Sequence, residues 1–188
     1  SWNVASWATT LKQIRKHYGT LSRWMERHRV DILCLQESKL TKSRVAEPAL
    51  SGCREPGWQS YWACCNLTNG KQSLRGFNGV ATFAREGLVK SACSEPFGDP
   101  RFDAEGRLLV TDCGKFVVFN CYAPTSGEGY SRVPFKVEFF RRIREMTRRV
   151  RQSGRSVVFA GDFNIAPSLL DVHWKDAVVD YVQLCSFP

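Results

Sequence analysis

The stretch VDILCLQESK (Val30–Lys39) sets the frame for the whole chain. Six mostly apolar residues are followed at once by Gln36 and Glu37. A run this short, bounded by polar residues, predicts a buried strand whose end delivers Gln36 and Glu37 to a surface. The same form recurs twice. KFVVFNCY (Lys115–Tyr122) ends on a tyrosine, and SVVFAG (Ser156–Gly161) reads as a second buried strand leading into GDFN, which carries Asp162 and Asn164.

Working outward, helices flank these strands. Leu11, Ile14, Tyr18, Leu21 and Met25 recur at three- and four-residue spacing, predicting one helix over Thr9–Arg29. Gly19 is its weak point, since mid-helix glycine costs about 1 kcal/mol relative to alanine. A second helix is expected from Pro134 to Gln152, with Phe135, Phe139, Ile143, Met146 and Val150 inward and arginines outward. WQSYWACC (Trp58–Cys65) and GVATFA (Gly79–Ala84) are strand candidates rich in aromatic and β-branched residues. The intervening NLTNGKQSLRGFN is a polar loop or hairpin. LLVTD (Leu108–Asp112) and KFVVFNCY flank Cys113-Gly114 as a hairpin. Helices and strands mix without strict βαβ alternation, which points to one layered α/β domain over residues 1–188.

The 188 residues are 43% hydrophobic, enough for a core, and carry 27 Lys+Arg against 18 Asp+Glu, a net charge of +9. That surplus suits a polyanionic partner. The eight cysteines form no CxxC pair, and Cys34 and Cys121 sit inside apolar runs, where a free thiol acts as a small hydrophobe. His17, His28 and His173 do not supply zinc-ligand spacing. No signal peptide or transmembrane run is visible, so a reducing compartment and no membrane partner are expected.

Four strand ends bring polar residues forward: Asn3, Gln36-Glu37, Tyr122, and Asp162 with Asn164. Mg²⁺ takes one or two carboxylates together with waters and phosphate oxygens, and Glu37 offers the carboxylate. Asn3, Asn164 and a tyrosine hydroxyl are neutral donors suited to a phosphoryl transition state. Asp162 is placed to orient or deprotonate a water.

The order SWN (1–3), LQESK (35–39), GVATF (79–83), DAEGR (103–107), NCYAP (120–124) and GDFN (161–164) resembles exonuclease III-like enzymes of the endonuclease/exonuclease/phosphatase family. DAEGR and GVATF resemble the apurinic/apyrimidinic (AP) endonuclease branch, and VHW (172–174) resembles its type 2 members. The resemblance implies a four-layered α/β sandwich of two packed mixed sheets flanked by helices. It implies a Mg²⁺-dependent phosphodiesterase (Mn²⁺ as the alternative ion) that cleaves duplex DNA at abasic sites, trims blocked 3′ ends, or both. By motif position, Glu37, Asn3, Asp162 and Asn164 resemble the metal site. Tyr122, Asp162 and Asn164 resemble catalytic residues, and Asn3, Tyr122 and Asn164 resemble phosphate contacts. A monomer is expected, in the nucleus or an organelle.

Three positions depart from the pattern. Ala5 stands where the family usually has a metal-site Asp or Asn, and Thr125 and Glu128 replace an asparagine and a downstream arginine. A C-terminal serine-aspartate-histidine motif is not found, so the fold is expected to be C-terminally incomplete and this stretch alone poorly active. Two other readings stay open. One is a same-family phosphodiesterase acting on RNA, nucleotides or inositol phosphates; the other is a non-catalytic nucleic-acid-binding domain.

Overall fold

A computed structural model describes residues 1–69, 72–73 and 76–171. In chain order the elements are β1 (Trp2–Asn3), α1 (Trp7–Tyr18), α2 (Leu21–Arg27), β2 (Ile32–Gln36), α3 (Lys42–Val45) and α4 (Pro48–Ser51). They continue with β3 (Trp58–Ala63), β4 (Thr68–Asn69), β5 (Gln72–Ser73), β6 (Val80–Arg85), β7 (Ser91–Cys93) and α5 (Pro100–Asp103). The last are β8 (Leu108–Asp112), β9 (Phe116–Tyr122), α6 (Val133–Gln152) and β10 (Ser156–Asp162). One sheet has the order β1-β2-β6-β3 and the other β10-β9-β8-β7; β4 and β5 pair separately as the hairpin within the polar loop. Both large sheets are mixed, with β1–β2 and β10–β9 parallel and the remaining pairs antiparallel.

Strand alternation builds the layers, because successive side chains point to opposite faces. In β2 and β6, Leu33, Leu35, Ala81 and Phe83 pack with Trp7, Leu11, Ile14, Leu21 and Met25 of α1 and α2. In β8 and β9, Leu108, Val117, Phe119 and Cys121 pack with Phe139 and Ile143 of α6. The opposite faces meet each other. Val80, Leu109 and Ala63 form a small apolar patch between the sheets. Beside it the buried Asn120 donates from Nδ2 to the Ala81 carbonyl at 2.8 Å and accepts from Gln36 Nε2 at 2.7 Å. The result is the expected four-layered sandwich, helices–sheet–sheet–helix.

Three expectations are corrected. The helix over Thr9–Arg29 is two helices. Gly19 takes φ +81° and returns its N–H to the Arg15 carbonyl, while the Thr20 hydroxyl caps the new start by accepting from Arg23 N–H. Gln36 is not delivered to a surface: it is 1% exposed, facing the second sheet. The strand SVVFAG is not buried either. β10 is paired only through β9 among the described residues, and Val158 and Phe159 are 44% and 36% exposed. The β8–β9 hairpin stands as expected, its turn held by Gly114 N–H donating to Asp112 Oδ1. All seven described cysteines are free thiols, and burial pushes the Cys121 thiol up to about 12. No described helix is long and apolar enough to cross a membrane. VHW (172–174) and His173 lie outside the described residues.

Candidate active site

The two parallel pairs, β1–β2 and β9–β10, end at the same edge of the sandwich. Register puts Asn3 beside Gln36 in one sheet and Asp162 beside Tyr122 in the other. The cross-sheet Gln36–Asn120 bond sits one residue before Glu37 and two before Tyr122, so it locks the sheets in the register the site needs.

Asn3 Nδ2 donates to Glu37 Oε1 at 2.9 Å and to Asp162 Oδ2 at 2.8 Å. One neutral amide therefore bridges the two carboxylates, and its Oδ1 accepts from Ala5 N–H. Beyond the effect of burial, the Glu37 carboxylate lies close enough to the Tyr122 phenol to raise its pKa. Asn164 N–H donates to Asp162 Oδ1 at 2.9 Å, and Asn164 Nδ2 donates to the Ala123 carbonyl at 2.8 Å. All five residues singled out in the sequence thus converge. They line or adjoin an open groove of about 1240 Å³ that also receives Thr125, Glu128 and Phe163.

The electrostatics fit a charged-carboxylate site. Burial alone would raise the Glu37 carboxyl, but hydrogen bonds from Asn3 and Lys39, the nearby Tyr122 hydroxyl and the Lys39 charge hold it below its ordinary value. Burial and the Glu37 carboxylate together push the Tyr122 phenol up, which keeps it a neutral donor. Desolvation lowers the Lys136 ammonium, with Asp162 opposing; its Nζ donates to the Asn164 carbonyl at 2.6 Å.

The backbone here is strained. Ala5, Glu37 and Asn164 have φ of 53°, 54° and 49°, a left-handed conformation that side chains disfavour and that collects at functional sites. Gly161 is required by β9: a Cβ there would collide with the Cys121 backbone, so only glycine lets Asp162 come down beside Tyr122.

Sequence reasoning missed several contributors. Lys39 pairs with Glu37 at 3.0 Å. It lies within LQESK, so proximity to a carboxylate was the available signal. Lys136 reaches Asn164 from α6, and Asn120 and Gln36 act from between the sheets; none of these contacts has a local sequence signature.

Two carboxylates joined by one amide thus sit at the strand ends of a four-layered α/β sandwich. The chain belongs to the Endonuclease/Exonuclease/phosphatase family, whose model matches residues 1–181. It is 27% identical to the DNA-(apurinic or apyrimidinic site) endonuclease 2 of Bos taurus, covering 95% of this chain and 40% of that protein. It is 26% identical to recombination repair protein 1 of Drosophila melanogaster, covering 92% of this chain and 22% of that one. The chain therefore spans less than half the length of these relatives. Among solved structures, the AP endonuclease of Leishmania major superposes with a TM-score of 0.67 at 26% identity, covering 88% of this chain and 54% of that one. The APE2 catalytic domain of Xenopus laevis shares the fold, with a TM-score of 0.68 at 21% identity, 90% of this chain and 59% of that one.

Proposed function

We propose that this chain carries the catalytic sandwich of a divalent-metal-dependent phosphodiesterase of DNA base-excision repair. It cleaves duplex DNA at abasic sites, trims blocked 3′ ends, or does both. The observation that carries the reading is the meeting of Asn3, Glu37, Tyr122, Asp162 and Asn164 from four strand ends beside one groove. The names of the similar proteins support DNA as substrate, and the 3′ phosphatase of Neisseria, 25% identical, was solved with product DNA bound.

The donor set fits Mg²⁺. Glu37 and Asp162 are two carboxylates within reach of one amide, and Mg²⁺ takes one or two carboxylates with waters and substrate phosphate oxygens. When bound, the ion supplies positive charge to the phosphoryl oxygens; Mn²⁺ serves the same donors. Glu37 and Asp162 would hold the ion with Asn3 and Asn164 beside them, and the Asn3 amide offsets the repulsion between the two carboxylates. Tyr122, held neutral, donates to the scissile phosphate. Asp162 takes the proton of the attacking water. Asn164 has a second Nδ2 proton for the transition state, since a side-chain amide carries two donors.

Asp162→Asn in the full-length protein tests this. Turnover on an abasic duplex is expected to fall by about 10²–10⁴-fold with DNA affinity retained, the usual range for removing a general base. Normal turnover would refute the assignment. Competition by RNA, nucleotides or inositol phosphates that outdoes the abasic duplex would move the substrate elsewhere in the family. Absence of turnover by the unmutated full-length protein with intact DNA binding would instead favour a non-catalytic domain, a reading that Ala5 supports. The protein is proposed to act as a monomer in the nucleus or an organelle, checked by light scattering and imaging.

A further inference from the structure

Beneath Tyr122 lies a buried charge network to which no role has yet been given. Arg107 is 7% exposed, and its Nε donates to Glu105 Oε2 at 2.5 Å. Its Nη1 donates to the carbonyls of Tyr122 and Ala123 at 3.3 and 3.5 Å. The guanidinium sits 4.9 Å from the centre of the Tyr122 ring. The Arg107 carbonyl also accepts the Tyr122 backbone N–H at 2.8 Å. Tyr122 is thus gripped at its N–H, its carbonyl and its ring by one residue of the neighbouring strand end.

The grip has its own anchor. Glu105 is 5% exposed, and its second oxygen accepts from Arg132 Nη2 at 2.5 Å. Arg132 ends the loop that runs from Thr125 past Glu128 along the groove, and its backbone N–H donates to the Ser126 carbonyl. Gly106, between the paired residues, lies so close to the backbone of Cys64 and Cys65 that any Cβ would clash. Only glycine lets the segment seat this closely against the Cys64–Cys65 backbone.

A lone buried arginine is costly, and an arginine fixed by a carboxylate and two carbonyls is held to one geometry. We propose that Arg107 is a positioning residue for Tyr122, and that Glu105 holds it there while tying the Thr125–Arg132 loop to the same point. This rests on the reading that Tyr122 contacts the substrate. Arg107 itself, covered by Glu105 and the Tyr122 ring, touches no reacting atom. Its contribution is orientation, and misplacement of a reacting group by about 1 Å can cost about 10²-fold in rate.

The test is a double-mutant cycle in the full-length protein with an abasic duplex. Arg107→Met is expected to lower kcat by about 10–10²-fold with KM little changed. In a Tyr122→Phe background the same change is expected to do nothing further, because the hydroxyl being positioned is gone. The ring signals of Tyr122 in an NMR spectrum, identified by their loss in Tyr122→Leu, are expected to move in Arg107→Met. Should Arg107→Met not fold, Arg107→Lys, which keeps the charge and loses the fork, goes through the same cycle. Equal fold-losses in both backgrounds overturn the inference, since a merely structural arginine gives that result. Impaired Tyr122→Phe with unimpaired Arg107 variants overturns this inference alone. A Tyr122→Phe protein that turns over like wild type overturns the functional reading and this inference with it.

Discussion

Replacing Asn120 with alanine strikes the bond that holds the two sheets in register. Asn120 is fully buried and makes two short hydrogen bonds, from Nδ2 to the Ala81 carbonyl and from Gln36 Nε2 to its own Oδ1. Losing the first costs about 0.5–1.5 kcal/mol, and leaving the Gln36 amide buried without an acceptor costs about 1–3 kcal/mol. The sum is about 1.5–4.5 kcal/mol, or roughly 3–18 °C in Tm for a chain of this size. Adding Gln36→Leu removes the orphaned donor, so the double variant is expected to be less destabilised than the sum of the singles by about 1–2 kcal/mol. Urea unfolding followed by circular dichroism, with an unchanged m-value, measures all three proteins. If Asn120→Ala lies within about 0.5 kcal/mol of wild type, or if the singles simply add, the pair does not tie the sheets as argued.

Other expectations follow from particular contacts. Gly161→Ala forces β10 off β9 and is expected to cost about 1–3 kcal/mol or more, with Asp162 displaced; an unchanged Tm would contradict the clash. Glu37→Gln is expected to raise the Mg²⁺ concentration needed for half-maximal turnover, and an unchanged metal titration would remove Glu37 as a ligand. The Glu37 carboxyl is depressed by its donors, so its stabilising contribution is complete above the unfolded value near 4.5 and drains away as pH falls through the lower folded value. A carboxyl-carbon NMR titration of Glu37 with a midpoint at or above 4.5 would contradict those hydrogen bonds. DNA affinity is expected to fall steeply with salt, as phosphate contacts release counterions; a flat salt profile would argue against a nucleic-acid partner.

Much of this was legible in the sequence, and the gaps have physical causes. Apolar runs that stop abruptly at Glu37, Tyr122 and Asp162 marked strand ends correctly, because a parallel pair must present its ends together. The direction of Gln36 was not legible. β2 is covered on both faces, so its apolar run has no two-residue alternation to reveal which side chains face the helices. The break at Gly19 was visible as a propensity cost, yet the stripe of Leu21 and Met25 carried on in phase and masked it. β10 read as buried because Val157, Val158 and Phe159 are apolar, while its coverage depends on neighbours far away in the chain. The grip of Arg107 on Tyr122 joins strands across a hairpin, and such pairings leave no mark on spacing.

The hydrogen bond between Asn3 and Asp162 spans 159 residues of sequence. Contacts so distant form slowly, since the loop must close before it is rewarded. At synthesis rates of about 5–20 residues per second, Asn3 waits about 8–32 s for Asp162 to be made. A nascent chain that stops short of Gly161 holds Asn3 and Glu37 with no second carboxylate for them to meet. The pairing of the two carboxylates through Asn3 therefore exists only in chains completed through this strand.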